Sequence, residues 1–339
     1  MNKHRAIVWA TGRVGRAFMR EILLSDRFEL VGAWAHDPTK EGVDAGTLVG
    51  LDPCGIRLTT DKQAIFDLPA DIVFQAPKGH DVSAEHDADV IALLRSGKNV
   101  IATRGYEYPW MLGANYVEPL ERACREGGAT LYATGNNPGF IGDRLLTTLM
   151  SGCLYIDEMT LNETYNCSGV DPSTFTRMGF GSTPEAFAER RVVANYDYHF
   201  SQTMHVAVSS TGATIESIRR DEVTVLADQE EPGTALPVAS GTIKGIGISW
   251  TARAGGRDFM HVHLRWYVGS PVRGWPSETG WVLETRGRPP LRLQLAYDGV
   301  APDIGSKAFL PGLFLNAAPE VIRAEPGIMR TPIFAPYRF

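Results

Sequence analysis

Apolar positions in the N-terminal third follow two alternating periods. Arg5-Ala6-Ile7-Val8-Trp9 is a short, nearly continuous apolar run, the mark of a strand buried on both faces. Ala10-Thr11-Gly12-Arg13-Val14-Gly15 interrupts it, and Phe18, Met19, Ile22 and Leu23 then recur at helical spacing. Phe28–Trp34 (FELVGAW) returns to strand composition. The alternation continues downstream. Ala70–Ala76 (ADIVFQA) predicts a buried strand ended by Pro77, and Val90, Ile91, Leu93 and Leu94 predict a helix stopped by Gly97. Asn99–Thr103 reads as a strand, Pro119–Glu126 as a helix ended by Gly127-Gly128, and Ala129–Thr134 as another strand. Strands alternating with helices predict a parallel sheet covered on both faces.

From about Phe140 the pattern changes. Ile141–Met150 predicts a helix, and strand-like runs follow at Glu158–Tyr165, Thr203–Ser209, Gly245–Ala252, Phe259–Val268 and Arg292–Ala296. Ala254-Gly255-Gly256-Arg257 reads as a hairpin connection, Asp228–Gly233 (DQEEPG) as an exposed loop and Asn316–Ile322 as a helix. The expected fold class is α/β. A Rossmann-type doubly wound parallel sheet over residues 1–140 precedes an α+β substrate and dimerisation domain over 141–312, whose sheet is mostly antiparallel. Residues 313–339 are expected to pack back on the first domain.

Composition narrows the classes. A chain of 339 residues suffices for two domains, and 44% hydrophobic with 21% charged residues is ordinary for a globular protein. A net charge of -6 argues against a nucleic-acid partner. No apolar run reaches the roughly 18 residues of a membrane span, and the first strand is too short for a signal-peptide core. Cys54, Cys124, Cys153 and Cys167 are widely spaced, which fits reduced thiols in a cytoplasmic protein better than a disulfide framework or a zinc site.

The first turn carries the main chemical signal. Strand, glycine turn, helix and strand form the first unit of a dinucleotide-binding fold. Gly12 lets the backbone approach a pyrophosphate, Gly15 lets the helix pack closely on the sheet, and the helix N-terminus offers N–H groups and partial positive charge. Ala10 stands where the usual first glycine would be; Thr11, Arg13 and Val14 complete the candidate cradle. At the end of the second strand, Asp37 falls late for a ribose diol, whereas His36 and Lys40 could meet a 2′-phosphate. The expected cofactor is therefore NADP or NAD, with NADP favoured. Ala76, Pro77 and Thr103 follow strand ends, where ligands of such sheets bind. His261-Val262-His263 puts two imidazoles on one strand face with no third ligand evident, so a polar face or subunit contact is expected rather than a metal. His80 reads as a loop residue close enough to a strand end to touch ligand.

Thr134-Gly135-Asn136-Asn137-Pro138-Gly139-Phe140 resembles the TGxNPGF signature of the 2,4-diaminopentanoate dehydrogenases. These group with the native amine dehydrogenases and share a fold with dihydrodipicolinate reductase. Asp37–Gly46 (DPTKEGVDAG), Met178–Glu185 (MGFGSTPE) and Asn316–Ile328 (NAAPEVIRAEPGI) resemble further family segments in the same order. The histidine- and lysine-containing catalytic motif of the lysine-synthesis reductases is not apparent.

The resemblance implies an NAD(P)-dependent enzyme that interconverts an amine with a carbonyl compound and ammonia, probing a small carbonyl or amine substrate in a homodimer. It also implies a carboxylate that holds the ammonium or iminium and shuttles protons. Family members commonly place that glutamate two or three residues after a strand, before Tyr-Pro. Here Gly105 and Tyr106 occupy those positions in Thr103-Arg104-Gly105-Tyr106-Glu107-Tyr108-Pro109-Trp110. Glu107 is the nearby carboxylate that could swing into the cleft, and Tyr106 is the alternative proton donor, in which case the reaction would be carbonyl or imine reduction without ammonia. Arg104 could pair with Glu107 or a substrate carboxylate. The resemblance puts Asn137 near the nicotinamide amide, against a plain reading as turn chemistry. Asp143 and Arg144 read as residues that stabilise a helix start or meet a neighbour. Arg177 could bind a substrate carboxylate or join a surface ion pair, and Phe180 with the tryptophans could make the pocket apolar. A non-catalytic nucleotide-binding regulator is the remaining alternative, because fold alone does not establish chemistry.

Overall fold

The computed structural model describes residues 3–77, 83–103, 105–190, 192–232, 234–276, 278–297 and 308–331. The chain forms two compact units, one of residues 1–140 with 304–331 and the other of residues 141–303.

The first unit runs β1 (His4–Trp9), α1 (Arg13–Leu24), β2 (Phe28–Trp34), α2 (Ala45–Leu48), α3 (Lys62–Asp67), β3 (Ile72–Gln75), α4 (Ala84–Arg95), β4 (Asn99–Ala102), α5 (Ala114–Gly127) and β5 (Thr130–Ala133). The second runs α6 (Leu146–Met150), β6 (Tyr155–Asn166), α7 (Pro172–Met178), α8 (Pro184–Glu189), α9 (Ala194–Ser210), β7 (Ile215–Leu226), β8 (Ile243–Ala254), β9 (Arg257–Tyr267), β10 (Gly280–Arg288) and β11 (Leu291–Leu295). The chain then returns to the first unit as α10 (Leu310–Arg323) and β12 (Gly327–Met329).

The first sheet has the order β12-β5-β4-β3-β1-β2, with every neighbouring pair parallel. Successive residues of β1 enter different cores. Ala6 and Val8 pack with Phe18, Met19 and Ile22 of α1 and with Phe314, Leu315 and Val321 of α10. Ile7 and Trp9 pack with Ile65, Val90, Leu93, Leu94 and Leu120 of α3, α4 and α5. A strand needs apolar residues at every position when both faces are covered, which explains the continuous run in the sequence. The carboxyl ends of β1 to β5 share one edge, and the strand order reverses between β1 and β3. Open α/β sheets bind ligands at such a switch point.

The second sheet has the order β11-β10-β6-β9-β8-β7 and is antiparallel except for β6 and β9. The β8–β9 hairpin turns on Gly255 and Gly256, both at positive φ (59° and 74°), where glycine carries no Cβ penalty.

Two expectations need correction. Thr203–Ser209 is the end of α9 and not a strand. Its valines suggested β structure, but Phe200, Thr203, Met204, Ala207 and Val208 are buried at helical spacing, and that burial overrides local propensity. Asp228–Gly233 is not simply exposed, because Glu231 is buried in an ion pair with Lys244 and accepts hydrogen bonds from the Ser270 amide (2.8 Å) and hydroxyl (2.9 Å). Among the described residues no helix is long and apolar enough to cross a membrane.

His261 and His263 stack on β9 with ring centroids 6.0 Å apart. His263 faces Ser249 Oγ at 2.9 Å, and its pKa is lowered to about 4 by burial first, then by the charges of Arg265 and His261. The folded state therefore keeps this imidazole neutral down to about pH 4, whereas the unfolded chain protonates it near 6.5. Stability is fully present above pH 6.5 and falls as the pH drops from 6.5 to 4. The loss should be about 1–2 kcal/mol, less than full linkage because solvent still reaches the ring. Thermal melts from pH 7 to 4 should show a shallower decline for H263Q than for the wild type; parallel declines would refute the assignment.

Candidate functional site

The turn after β1 is the candidate phosphate cradle. Ala10 adopts φ +77°, unusual for a residue with a side chain, and its amide donates to the Trp34 carbonyl at 3.0 Å. A Cβ on Gly15 would stand 1.9 Å from the Ala10 carbonyl oxygen, so only glycine fits there. A Cβ on Gly12 would meet nothing within 4 Å, which leaves the approach to the backbone open. Gly12 caps α1 without a side-chain hydrogen bond, and the first-turn N–H groups point outward with the positive end of the helix dipole. Thr11 is buried, and its hydroxyl has no partner among the described residues. An uncapped helix end beside an orphaned hydroxyl fits a dinucleotide phosphate.

Lys40 belongs to the same cradle, its Nζ donating to the Thr11 carbonyl at 3.0 Å. Asp37 instead caps the short 3-10 helix Pro38–Lys40. Its carboxylate accepts from the Thr39 hydroxyl (2.7 Å) and amide (3.0 Å), and those bonds, in that order, hold it below the usual carboxylate range. His36 is exposed and meets the Trp34 ring edge-on at 6.0 Å. Arg13 is exposed at the first turn of α1, and Val14 is half-buried beside it. Ala76, Pro77 and Thr103 lie on the same sheet edge, with the Thr103 amide donating to the Gln75 carbonyl at 3.0 Å.

The loop after β4 changes direction at Gly105, whose φ is +92°. That turn brings Glu107 back, so that its Oε2 accepts from the Gly105 amide at 3.1 Å, and the residue is only 4% exposed. Tyr106 points another way. Its hydroxyl donates to Asp87 of α4 at 2.7 Å, and Tyr116 of α5 donates to the same oxygen at 3.0 Å. Arg330 lies over the rings of Tyr108 (5.5 Å) and Trp110 (4.4 Å) and ties the last described segment to this loop. Asn137 is extended (φ -150°) in the turn after β5, and its peptide bond to Pro138 is cis. Arg104 and His80 lie outside the described residues.

In the second unit Phe180 is 4% exposed and packs on Phe175 at 5.4 Å. Arg177 donates to the Thr174 hydroxyl at 3.0 Å, and its Nε has no partner among the described residues. Asp143 meets a neighbour, as one of its two readings expected: it is buried and accepts a hydrogen bond from the Thr203 hydroxyl of α9. Among the described residues no group of three or more His, Cys, Asp or Glu could hold a metal ion.

Residues 140–334 match the 2,4-diaminopentanoate dehydrogenase C-terminal domain, and residues 5–103 match the dihydrodipicolinate reductase N-terminus. The chain belongs to the 2,4-diaminopentanoate dehydrogenase family. An amine dehydrogenase of Streptomyces virginiae is 26% identical over 95% of this chain and 93% of its own. The 2,4-diaminopentanoate dehydrogenase of Acetoanaerobium sticklandii is 22% identical over 97% and 92%. The solved structure of an amine dehydrogenase from Mycobacterium smegmatis shares the fold, with a TM-score of 0.79 at 22% identity, covering 98% of this chain and 97% of that one. As a member of the 2,4-diaminopentanoate dehydrogenase family, the chain is an oxidoreductase of the class acting on CH–NH2 groups, built on a nicotinamide-dinucleotide fold.

One candidate residue at this edge was missed in the sequence. Gln75 ends β3 at the switch point, is 2% exposed, and its Nε2 has no partner among the described residues. The signal was a lone polar residue closing an apolar strand. The cradle itself is testable by calorimetric titration of NADPH. G15A should abolish binding, because the Ala10 carbonyl would have to move, whereas A10G should bind normally and gain about 1 kcal/mol of stability by relieving the left-handed alanine. Undiminished binding by folded G15A would sink the cradle.

Proposed function

We propose that this chain is an NADPH-dependent amine dehydrogenase that interconverts a small ketone or aldehyde plus ammonia with the corresponding amine. The observation that carries the reading is the Glu107 carboxylate, buried in the loop that follows β4 and accepting from the Gly105 amide. The bound cofactor supplies or accepts hydride at the carbon that bears nitrogen. In the aminating direction Glu107 takes a proton from ammonium, so that neutral ammonia attacks the carbonyl. It returns the proton to the departing hydroxyl, which leaves as water. The iminium so formed is cationic, and the ionised carboxylate stabilises it where little water competes. The Tyr106 hydroxyl is engaged with Asp87, which favours Glu107 over Tyr106 as proton carrier, and amination over ammonia-free reduction.

Ala10–Gly15 would hold the pyrophosphate, with Thr11 and Gln75 offering hydrogen bonds to the same ligand. Asn137 would meet the nicotinamide amide. Lys40, His36 and Arg13 would face a 2′-phosphate, while Asp37 is already engaged by Thr39. Phe180 would contribute an apolar wall and Arg177 a carboxylate contact for substrates that carry one. The working form would be a homodimer joined through the second sheet. The four free cysteines support a reducing, cytoplasmic setting.

Oxidation of NADPH with a panel of small ketones and aldehydes should depend on ammonium. E107Q should lower that turnover at least about 100-fold, the usual scale of a lost acid–base group, with NADPH binding retained. Turnover indifferent to ammonium, or full activity in E107Q, would overturn the reading. K40A should weaken NADPH by about tenfold or more and leave NADH unaffected, since a hydrogen bond to a charged group contributes roughly 1.5–3 kcal/mol. Equal loss for both cofactors would assign Lys40 to the turn alone.

A further inference from the structure

Helix α4 carries three acidic residues in its first two turns, Glu85, Asp87 and Asp89, and they divide between two sides. Glu85 and Asp89 are four residues apart and share a face. Both meet Lys62 of α3, Glu85 at 3.3 Å and Asp89 at 2.7 and 2.9 Å. Asp87 comes two residues after Glu85, about 200° round the helix, and faces elsewhere. Its Oδ1 accepts a hydrogen bond from the Tyr106 hydroxyl, in the loop after β4, at 2.7 Å. The same oxygen accepts from the Tyr116 hydroxyl of α5 at 3.0 Å. A carboxylate oxygen has lone pairs for two donors, so three separate elements meet on this one atom.

Two features set this junction apart from an ordinary surface tie. The first is its neighbour. Tyr106 is 4% exposed and directly precedes Glu107, the proton carrier of the proposed reaction. The two residues share a planar peptide unit, so holding Tyr106 also holds the entry of the chain into Glu107. On the other side of Tyr106, Gly105 takes φ +92° and its amide donates to Glu107 Oε2 at 3.1 Å. Tyr106 is therefore the middle residue of the turn that Glu107 closes onto Gly105. The second feature is a separate anchor for the rest of the loop. The Arg330 guanidinium lies 5.5 Å from the Tyr108 ring and 4.4 Å from the Trp110 ring. Asp87 thus governs residues 105–107, and the residues that follow are held independently.

We propose that Asp87 is a positioning residue for Glu107: through the Tyr106 hydroxyl it sets the direction in which that carboxylate is presented, without itself touching substrate or cofactor. The assignment rests on the amine dehydrogenase reading for what Glu107 does and adds what holds it in place. The requirement at position 87 is an acceptor oxygen rather than a charge. Asparagine has such an oxygen and alanine has none. Without the acceptor the turn opens, and Glu107 samples many directions instead of one. A displacement of about 1 Å in a reacting group costs on the order of 100-fold in rate.

Geometry and rate are measured separately on the full-length protein. The geometric readout is amide hydrogen exchange in peptides spanning residues 101–112, with no ligand present. D87A should speed exchange of the turn amides by about tenfold or more, and D87N should stay within about twofold of the wild type. Where D87A does not fold, Y106F, which keeps the ring and removes one hydroxyl, should show the same acceleration. The rate readout is ammonium-dependent oxidation of NADPH with the small ketone or aldehyde that the wild type turns over fastest. D87A should lower kcat about ten- to hundredfold with NADPH affinity unchanged, and D87N should recover most of the loss. Unchanged exchange in folded D87A or Y106F overturns the proposal. So does faster exchange with undiminished kcat, or a D87N as impaired as D87A. Faster exchange in D87A, in a protein whose wild type shows no ammonium-dependent turnover, supports the anchor and counts against the amine dehydrogenase reading instead.

Discussion

The geometry of the cofactor edge depends on an absent side chain. Helix α1 lies so close to β1 that the Ala10 carbonyl oxygen fills the space a Cβ on residue 15 would need. To reach that contact the chain must turn from strand to helix within Ala10–Gly12, and Ala10 enters the left-handed region, which costs an L-residue roughly 1–2 kcal/mol. Burial on the other side of α1 compensates. Phe18, Met19 and Ile22 are essentially inaccessible, and each such side chain contributes about 1.5–3 kcal/mol. Phe18 also stacks on Phe314 of α10 at 4.6 Å, so a helix near the end of the chain helps hold the turn near its beginning.

The same turn explains why local features of the sequence were readable and distant ones were not. β2 falls at Phe28–Trp34 in both sequence and structure because its apolar residues, buried on both faces, announce themselves without reference to any neighbour. β7 does not. It is an edge strand rich in charge, with Arg219, Arg220, Asp221 and Glu222 in succession, and such charges blunt an exposed edge while erasing the apolar alternation by which strands are recognised. β12 has three residues and exists only because β5 offers a free edge, a fact no local window contains. Thr203–Ser209 misled because its valines were read at period two, although the residues that are buried recur at helical spacing.

At the candidate site, the glycine turn was legible since its roles follow from backbone sterics over six residues. The carboxylate was less so. Counting from β4 puts Gly105 and Tyr106 at the expected glutamate positions, and the positive φ of Gly105, beside which the Glu107 carboxylate folds onto the Gly105 amide, is not written in the residue spacing. Gln75 and the Thr11 hydroxyl carry no motif at all; their meaning comes from being buried beside an open cradle with no partner among the described residues.

The loop's side chains divide because their polar ends have different needs. A phenol can be satisfied by one good acceptor, and Asp87 offers a single oxygen to both Tyr106 and Tyr116, stapling the loop to α4 and α5. A carboxylate accepts on two oxygens. Glu107 rests against the Gly105 amide, whereas Tyr106 reaches across to α4. The tyrosine nearer the strand thus ties the loop to two helices, and the glutamate that follows is turned back against the loop's own backbone.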